Sequence, residues 1–561
     1  MDAERFAAAA IIVFRVGVDE VVAWNAATDR LHNMTPFESR VLAECGHYRD
    51  LPTHEANLRA RGIVPEGDTY EVADVLRRLA DDGLIRSESE QLQRVFAAST
   101  RDPGQNAAPA GIRTLIIPTA DRPGAVRRAV SRYGGELRKH GHDARLLVID
   151  DSRSANNASS VREWCTGFSK DSGVTARVIG QSDRRDYADE VVRVAGGSGV
   201  STQTVEFALG LGQLPNADRY GANRNLGLLL CAGGFYMSGD DDTIPEFARL
   251  ASTADDSVPI PSIRSDVEFL GLTPFDSWKE LETKVTPAST DPFSLIERFL
   301  GRHVSELRHL ADSDSFDVDS GSANLLGRLE QSPESGRIRI VSTGLYGDTA
   351  MSNPPQNFFR AHREQRTRNV ENKARYDSLK AGRLVMRGSH VPTITDVPFL
   401  MGGCYAADAT SMLPPFLPFG RREDAFFAFL TGLVYSESLI CHLPLAVRHE
   451  PADRRTGWDR DISEVHLSAT DVLQTLMLEH VGTRLAGGAS ERLRLLGNVL
   501  RSLGSLEHEA FVRRVTSAAR VFLSGLAARV EAHLDWYDRQ PGYWAQDAEV
   551  YLTSIDRIVQ S

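Results

Sequence analysis

The chain has 561 residues, a formal charge of -12 and an apolar share of 42%, so it is too long for one ordinary domain and too apolar for a disordered or fibrous chain. The acidic balance supplies no field that would gather phosphate backbones, which argues against a nucleic-acid partner. No apolar stretch approaches the roughly 18 residues needed for a membrane span, and no basic segment precedes the apolar run Ala7 to Phe14, so a cytoplasmic protein is expected.

In chain order, residues 1–95 read as a small self-contained unit. IIVFRVGV and EVVAW are β-rich, and TPFE then offers Thr35 as an N-cap, Pro36 at the first helical position and Glu38 three residues on, a capping box. Val72, Val75, Leu76 and Leu79 share one face of a later helix before DDGLIRS turns out of it. Strands, short helices and a closing strand suggest a winged-helix-like module. Residues 96–111, small, polar and proline-bearing, read as a linker. From 112 the pattern changes to alternating strand and helix, the mark of a mostly parallel α/β sheet. The stretch 255–395 is less regular and is expected to be an insertion or an acceptor-side elaboration of a domain spanning 112–460, and 461–561 is helical in pattern. Cys45, Cys165, Cys231, Cys404 and Cys441 are scattered and form no C-x-x-C pair, which suits reduced thiols and gives no zinc signature.

Four segments carry chemistry. In SGDDDTIP, FYMS before the acidic tip is a short buried strand and Pro245 is expected to end the local structure. Asp240, Asp241 and Asp242 at a strand's carboxyl end stand where open α/β sheets bind ligands, and their hard oxygens suit Mg²⁺ or Mn²⁺ beside a diphosphate; a solvated acidic turn is the competing reading. GANRNLGLLLCAGG upstream reads as a helix sending Leu226, Leu229 and Leu230 to the core, with Arg224 at its start able to face a phosphate or a base carbonyl, or else plain solvent. TLIIPTADRPGAVRRAV runs strand, turn, helix, and RLLVIDDSRS ends a second strand in Asp150 and Asp151, which could accept from a base or a ribose, or simply make a turn.

The order of these segments, IIPTADRP, VIDDSRS, NRNLGL and GDDDTIP, resembles the family 2 glycosyltransferases of the GT-A fold. The resemblance covers residues 112–250 well and later segments more loosely. It departs in carrying Asn223 where alanine is commoner, and in a longer stretch between the second and third motifs. It implies a GT-A nucleotide-diphospho-sugar transferase with a Rossmann-like mixed sheet. Thr119, Asp150 or Asp151, and Arg224 would hold the nucleotide, with Asp240 and Asp241 on the nucleotide-sugar side. Asp240 and Asp242 would form the D-x-D pair, with Asp242 the direct ligand of Mn²⁺ or Mg²⁺.

PPFLPFGRREDAFFAFL supplies Glu423 and Asp424, where the family carries a Glu-Asp pair whose aspartate deprotonates the acceptor. Helix-dipole stabilisation is the alternative reading. LPLAVRHEP places His449 at a strand end, as a metal ligand or an ordinarily hydrogen-bonded histidine, and FLMGGCYAAD resembles the acceptor-side strand.

The first module resembles the PqqD-like peptide-binding domains, which take a leader peptide as an added strand. A peptide side chain, or a glycan or natural product, is then the expected acceptor. A sugar-nucleotide nucleotidyltransferase would call for a Gly-rich phosphate loop that TADRPGAVRR lacks, and a non-catalytic winged-helix regulator would call for a basic face.

Overall fold

The computed structural model describes residues 4–8, 11–17, 20–25, 28–64, 72–97, 111–196, 199–211, 219–249, 260–266, 269–309, 316–331, 336–349, 370–435, 438–452, 464–481, 485, 487–531 and 541–560. The expected linker lies outside these except at its ends.

The first unit contains strands Phe6–Ala8 (β1), Ile11–Arg15 (β2), Val21–Asn25 (β3), Arg30–Met34 (β4) and Ile85–Ser87 (β5). β2, β3 and β4 form an antiparallel sheet in that order, and β1 pairs with β5. The capping box closes: Glu38 N–H donates to the Thr35 hydroxyl at 3.2 Å, and Thr35 N–H to the Glu38 carboxylate at 2.6 Å. Val72, Val75, Leu76 and Leu79 are buried in the unit's own core with Val41, Leu42 and Leu58. The unit is also fastened to the rest of the chain. Buried Arg86 donates to both oxygens of Glu330 at 2.7 Å, and Tyr48 N–H donates to the Ser320 carbonyl.

The remaining strands are Thr114–Thr119 (β6), Arg145–Asp150 (β7), Ala176–Ile179 (β8), Phe235–Gly239 (β9), Thr243–Arg249 (β10), Ser262–Arg264 (β11), Gly271–Pro274 (β12), Thr286–Pro287 (β13), Asp317–Val318 (β14), Ile338–Asp348 (β15), Leu384–Gly388 (β16), Thr393–Thr395 (β17), Cys404–Asp408 (β18) and Leu439–His449 (β19). Among the described residues they make one mixed sheet of 14 strands with the main order β14-β11-β17-β19-β15-β18-β9-β6-β7-β8. β9, β6, β7 and β8 run parallel, and β18 joins β9 antiparallel. Leu115, Ile117, Leu146, Val148 and Met237 feed one core cluster, while Ile116, Leu147, Ile149 and Tyr236 feed another. Since alternate residues of a strand face opposite sides, this sheet is buried on both faces, which is why its strands read as continuous apolar runs. Helix Pro123–His140 covers the first face and helix Tyr220–Leu230 the second.

Two expectations, on Pro245 and on the Leu229–Leu230 face, meet a different arrangement. Pro245 does not end the local structure but sits inside β10, whose pairing with β19 shifts register between Ile244 and Phe247. A bulge asks no ladder N–H of that residue, so proline is accommodated. Leu229 is 48% exposed and Leu230 half-buried, because the helix from Tyr220 buries its first two turns and emerges at its end. The stretch 255–395 supplies strands β11 to β17, and β15 lies between β19 and β18 in the middle of the sheet.

The C-terminal helices Ala469–Val481, Ala489–Gly504, His508–Glu531 and Gly542–Gln560 follow the helical pattern. Met477, Leu485 and Leu496 pack against Phe426, Phe429, Leu430 and Leu433 of helix Glu423–Val434. Among the described residues no helix is long and apolar enough to cross a membrane.

Candidate active site at the strand ends

Parallel β6, β7 and β9 bring their carboxyl ends to one edge, where a cavity of about 440 Å³ opens. Its walls include Thr119, Arg122, Asp151, Arg153, Arg219, Tyr220, Arg224, Asp240, Asp241, Asp242, Arg421, Glu423 and His449.

The three tip aspartates turn to three different partners. Asp240 accepts from Arg224 Nη2 at 2.7 Å. Asp241 accepts from the Thr119 hydroxyl at 2.6 Å and from Arg122 at 3.1 Å. Asp242 lies 3.4 Å from His449 Nε2, brought there because Thr243 pairs with His449 across β10 and β19. Burial pushes the Asp241 carboxyl up to about 6, with the Asp242 charge adding to it, and burial likewise raises Asp240 despite Arg224. Asp242 is also desolvated, yet the hydrogen bond and charge of His449 outweigh burial and hold it at about 2. Burial would lower His449, and the same partner raises it instead.

Arg224 is buried and also donates to Ser238 Oγ at 2.9 Å, to the Gly402 carbonyl at 3.2 Å and to Glu423 at 3.3 Å. Its helix is locked to the loop before Glu423. Asn225 exchanges hydrogen bonds with both the N–H and the carbonyl of Phe416, and Gly221 passes so close to Leu417 that a Cβ would lie 1.8 Å from its carbonyl oxygen. Glycine is required there by the approach of two backbones. Burial lifts the Glu423 carboxyl to about 7, against the pull of Arg224. Asp424 takes a different place: it accepts from the N–H groups of Gly402 and Ala425 at 2.8 Å and is not on the cavity wall. Helix Glu423–Val434 is held from behind by the ion pair of Arg422, in the left-handed region at φ 69, with Asp471 of the C-terminal helices.

Asp150 accepts from Ser152 N–H and hydroxyl at 2.9 and 2.6 Å and shapes the turn, while Asp151 faces the cavity. Asp151 sits 3.3 Å from Arg184, and burial raises its carboxyl although Arg184 and Arg219 oppose this. Arg184 in turn donates to Asn223 Oδ1 at 2.5 Å. Arg421 lies over the Tyr220 ring, 4.7 Å from its centroid, at the rim. Arg122, Arg184, Arg219 and Arg421 were not among the residues expected from sequence. Arg122 stands inside TADRP and Arg421 inside FGRRED, and both are visible there; Arg184 and Arg219 carry no local signal.

Among the described residues no three carboxylate, imidazole or thiol side chains converge to cage a metal. Asp242 and His449 form a pair of hard oxygen and imidazole nitrogen on the cavity wall. That donor set fits Mn²⁺ or Mg²⁺, which complete their shells with substrate phosphate oxygens and water.

No family model and no curated protein matches the chain. Among solved structures it is similar to the mannosyltransferase PcManGT from Pyrobaculum calidifontis in complex with GDP-Man and Mn²⁺, at 11% identity and a TM-score of 0.26, over 84% of this chain and 95% of that one. A likeness at that score carries no argument about this chain, whose functional reading rests on the cavity itself.

Proposed function

We propose that the protein is a metal-dependent glycosyltransferase that moves a sugar from a nucleotide-diphosphate donor, with inversion, to an acceptor nucleophile. The observation that supports it is the meeting of the Asp242–His449 pair, Arg224 and the Glu423 carboxyl on one cavity at the ends of β6, β7 and β9. Asp151 and Thr119 hold the nucleoside end, and Asp150 shapes their turn. Asp240 fixes Arg224, and Asp241 fixes Thr119, beside the diphosphate. Asp242 and His449, with Asp240 beside them, would hold Mn²⁺ or Mg²⁺, and such an ion would supply charge neutralisation for a departing diphosphate. Arg224 adds fixed positive charge at the same place. The Glu423–Asp424 pair supplies the base: Asp424, off the donor cavity at the Gly402 backbone beside Arg224, takes the proton of an acceptor that approaches from that side as the nucleophile attacks the anomeric carbon, and Glu423, on the cavity wall, keeps Arg224 in register.

The acceptor we propose is a peptide recognised by residues 1–95. β2 is a sheet edge whose Ile12, Val13 and Phe14 are 45%, 42% and 51% exposed, a surface suited to pairing with an extended chain. Thermal shift of the full chain against a panel of nucleotide sugars with Mn²⁺ tests the donor, since a ligand bound only by the folded state raises its melting point. Stabilisation by a nucleotide sugar that EDTA abolishes is expected. A chain that answers to no nucleotide sugar would end this reading, and a module that binds no peptide encoded near its gene would end the peptide part alone.

A further inference from the structure

Among the described residues Arg224, His449 and Arg122 face the acidic tip, and Arg122 differs from the other two. Arg224 is 5% exposed and bound on several sides. His449 is fixed by the β10–β19 pairing. Arg122 lies across both Asp241 and Asp242 at 3.1 and 3.3 Å and is 52% exposed. Its backbone is anchored. Asp121 before it adopts φ 56 and accepts from Arg153 N–H, Ser154 N–H and the Asn157 amide at 3.1, 3.0 and 3.1 Å, and Pro123 opens the helix after it. A fixed backbone and an exposed guanidinium leave the side chain as the part that can move.

We infer that Arg122 is a resident counter-ion of the tip that makes metal and donor bind as a pair. The inference rests on the glycosyltransferase reading above. Asp242 cannot take a divalent cation and keep a guanidinium at 3.3 Å without setting like charges side by side. A metal ion arriving alone must therefore displace Arg122 from its carboxylates. Arriving with a diphosphate, it brings the anion that receives the displaced guanidinium, whose planar fork matches phosphate oxygens. Metal and nucleotide thus each raise the other's affinity, and the coupling passes through Arg122.

The test is direct titration of the full chain with Mn²⁺ alone, followed by paramagnetic resonance of the free ion, and again with UDP or GDP present. Removing one unit charge a few ångströms from the ion should tighten binding of Mn²⁺ alone in Arg122→Gln by roughly tenfold, whereas Arg122→Lys, which keeps the charge, should stay within about twofold of wild type. The gain in Mn²⁺ affinity caused by the nucleoside diphosphate should shrink in Arg122→Gln and persist in Arg122→Lys. If Arg122→Gln still binds the nucleotide yet holds Mn²⁺ alone no tighter than wild type, Arg122 has no such role and the enzyme reading stands. If wild type binds neither Mn²⁺ nor nucleoside diphosphate, both fall.

Discussion

Glu423 is 8% exposed and its carboxyl stands at about 7 against an ordinary 4.5, chiefly because burial disfavours its charge. The folded protein therefore keeps a proton there that the unfolded chain has already released. Between about pH 4.5 and 7 the folded state binds more protons, so this group subtracts stability as pH rises, and the loss is complete above the folded value. A displacement from 4.5 to about 7, at 1.36 kcal/mol per unit, is on the order of 3 kcal/mol. Glu423→Gln has nearly the same volume, cannot ionise, and still offers Arg224 an acceptor. Wild type and variant should therefore be about equally stable near pH 4.5, and the variant more stable by roughly 3 kcal/mol at pH 8, while transfer activity falls. Urea melts of both proteins at matched pH from 4.5 to 8.5, read by the far-ultraviolet signal, measure the difference. A gap that stays constant with pH, or a variant weaker than wild type at pH 8, would mean that the Glu423 carboxylate is solvated or fully compensated, and the reasoning from burial would be refuted.

Asp424→Asn should lower turnover by roughly two to four orders of magnitude while nucleotide and Mn²⁺ binding remain, and wild-type-like turnover in that variant would remove the proposed base. Gly221→Ala must push the helix from Tyr220 away from Leu417, costing a few kcal/mol in a urea melt and weakening nucleotide binding; an unchanged midpoint would show that the loop yields freely. Arg86→Ala leaves Glu330, among the described residues, with Arg94, 3.5 Å away and 45% exposed, and should cost about 3 kcal/mol in a thermal melt, which the double change of Arg86 and Glu330 to Met should largely restore.

The strand ends were legible because each is an unbroken apolar run closed by a polar turn: TLIIPT and RLLVID are buried on both faces and tolerate no interruption. Asp150, Asp151 and the acidic tip close such runs, whereas Arg224 was read from its place at a helix start and Thr119 came only from the family resemblance. β15 was not legible, although it lies in the middle of the sheet. Its sequence IRIVSTGLYGD is interrupted by Ser, Thr and Gly, which resembles a loop. The glycines are there for another reason. A Cβ on Gly344 would sit 2.4 Å from the Arg387 carbonyl oxygen, and one on Gly347 2.2 Å from that of His449. Close backbone approach and a flexible turn select the same residue, and only the fold tells them apart. Arg184 was hidden differently. It lies 39 positions before Asn223, in a stretch with no motif, and acquires meaning only when helix Gln181–Ala195 lays it against Asp151.

Adjacency in sequence also misleads at the tip, where DDD reads as three equivalent ligands. The three carboxylates face Arg224, Thr119 with Arg122, and His449 with the same Arg122 in turn. Their environments part accordingly: burial raises Asp240 and Asp241, whereas the imidazole holds Asp242 at about 2. Groups pushed apart in this way usually do different work. Asp242 alone combines a firmly ionised carboxylate with a second donor atom beside it, as a divalent ion requires. Asp241 spends both oxygens on Thr119 and Arg122, and Asp240 spends one on Arg224 and keeps the other beside the pair. Substituting Asp242 should therefore abolish Mn²⁺ binding and also cost stability above about pH 4, where the folded state holds its carboxylate at about 2, while Asp240→Asn, at a carboxyl that burial raises and beside an Arg224 that keeps Ser238, Gly402 and Glu423, should spare the fold.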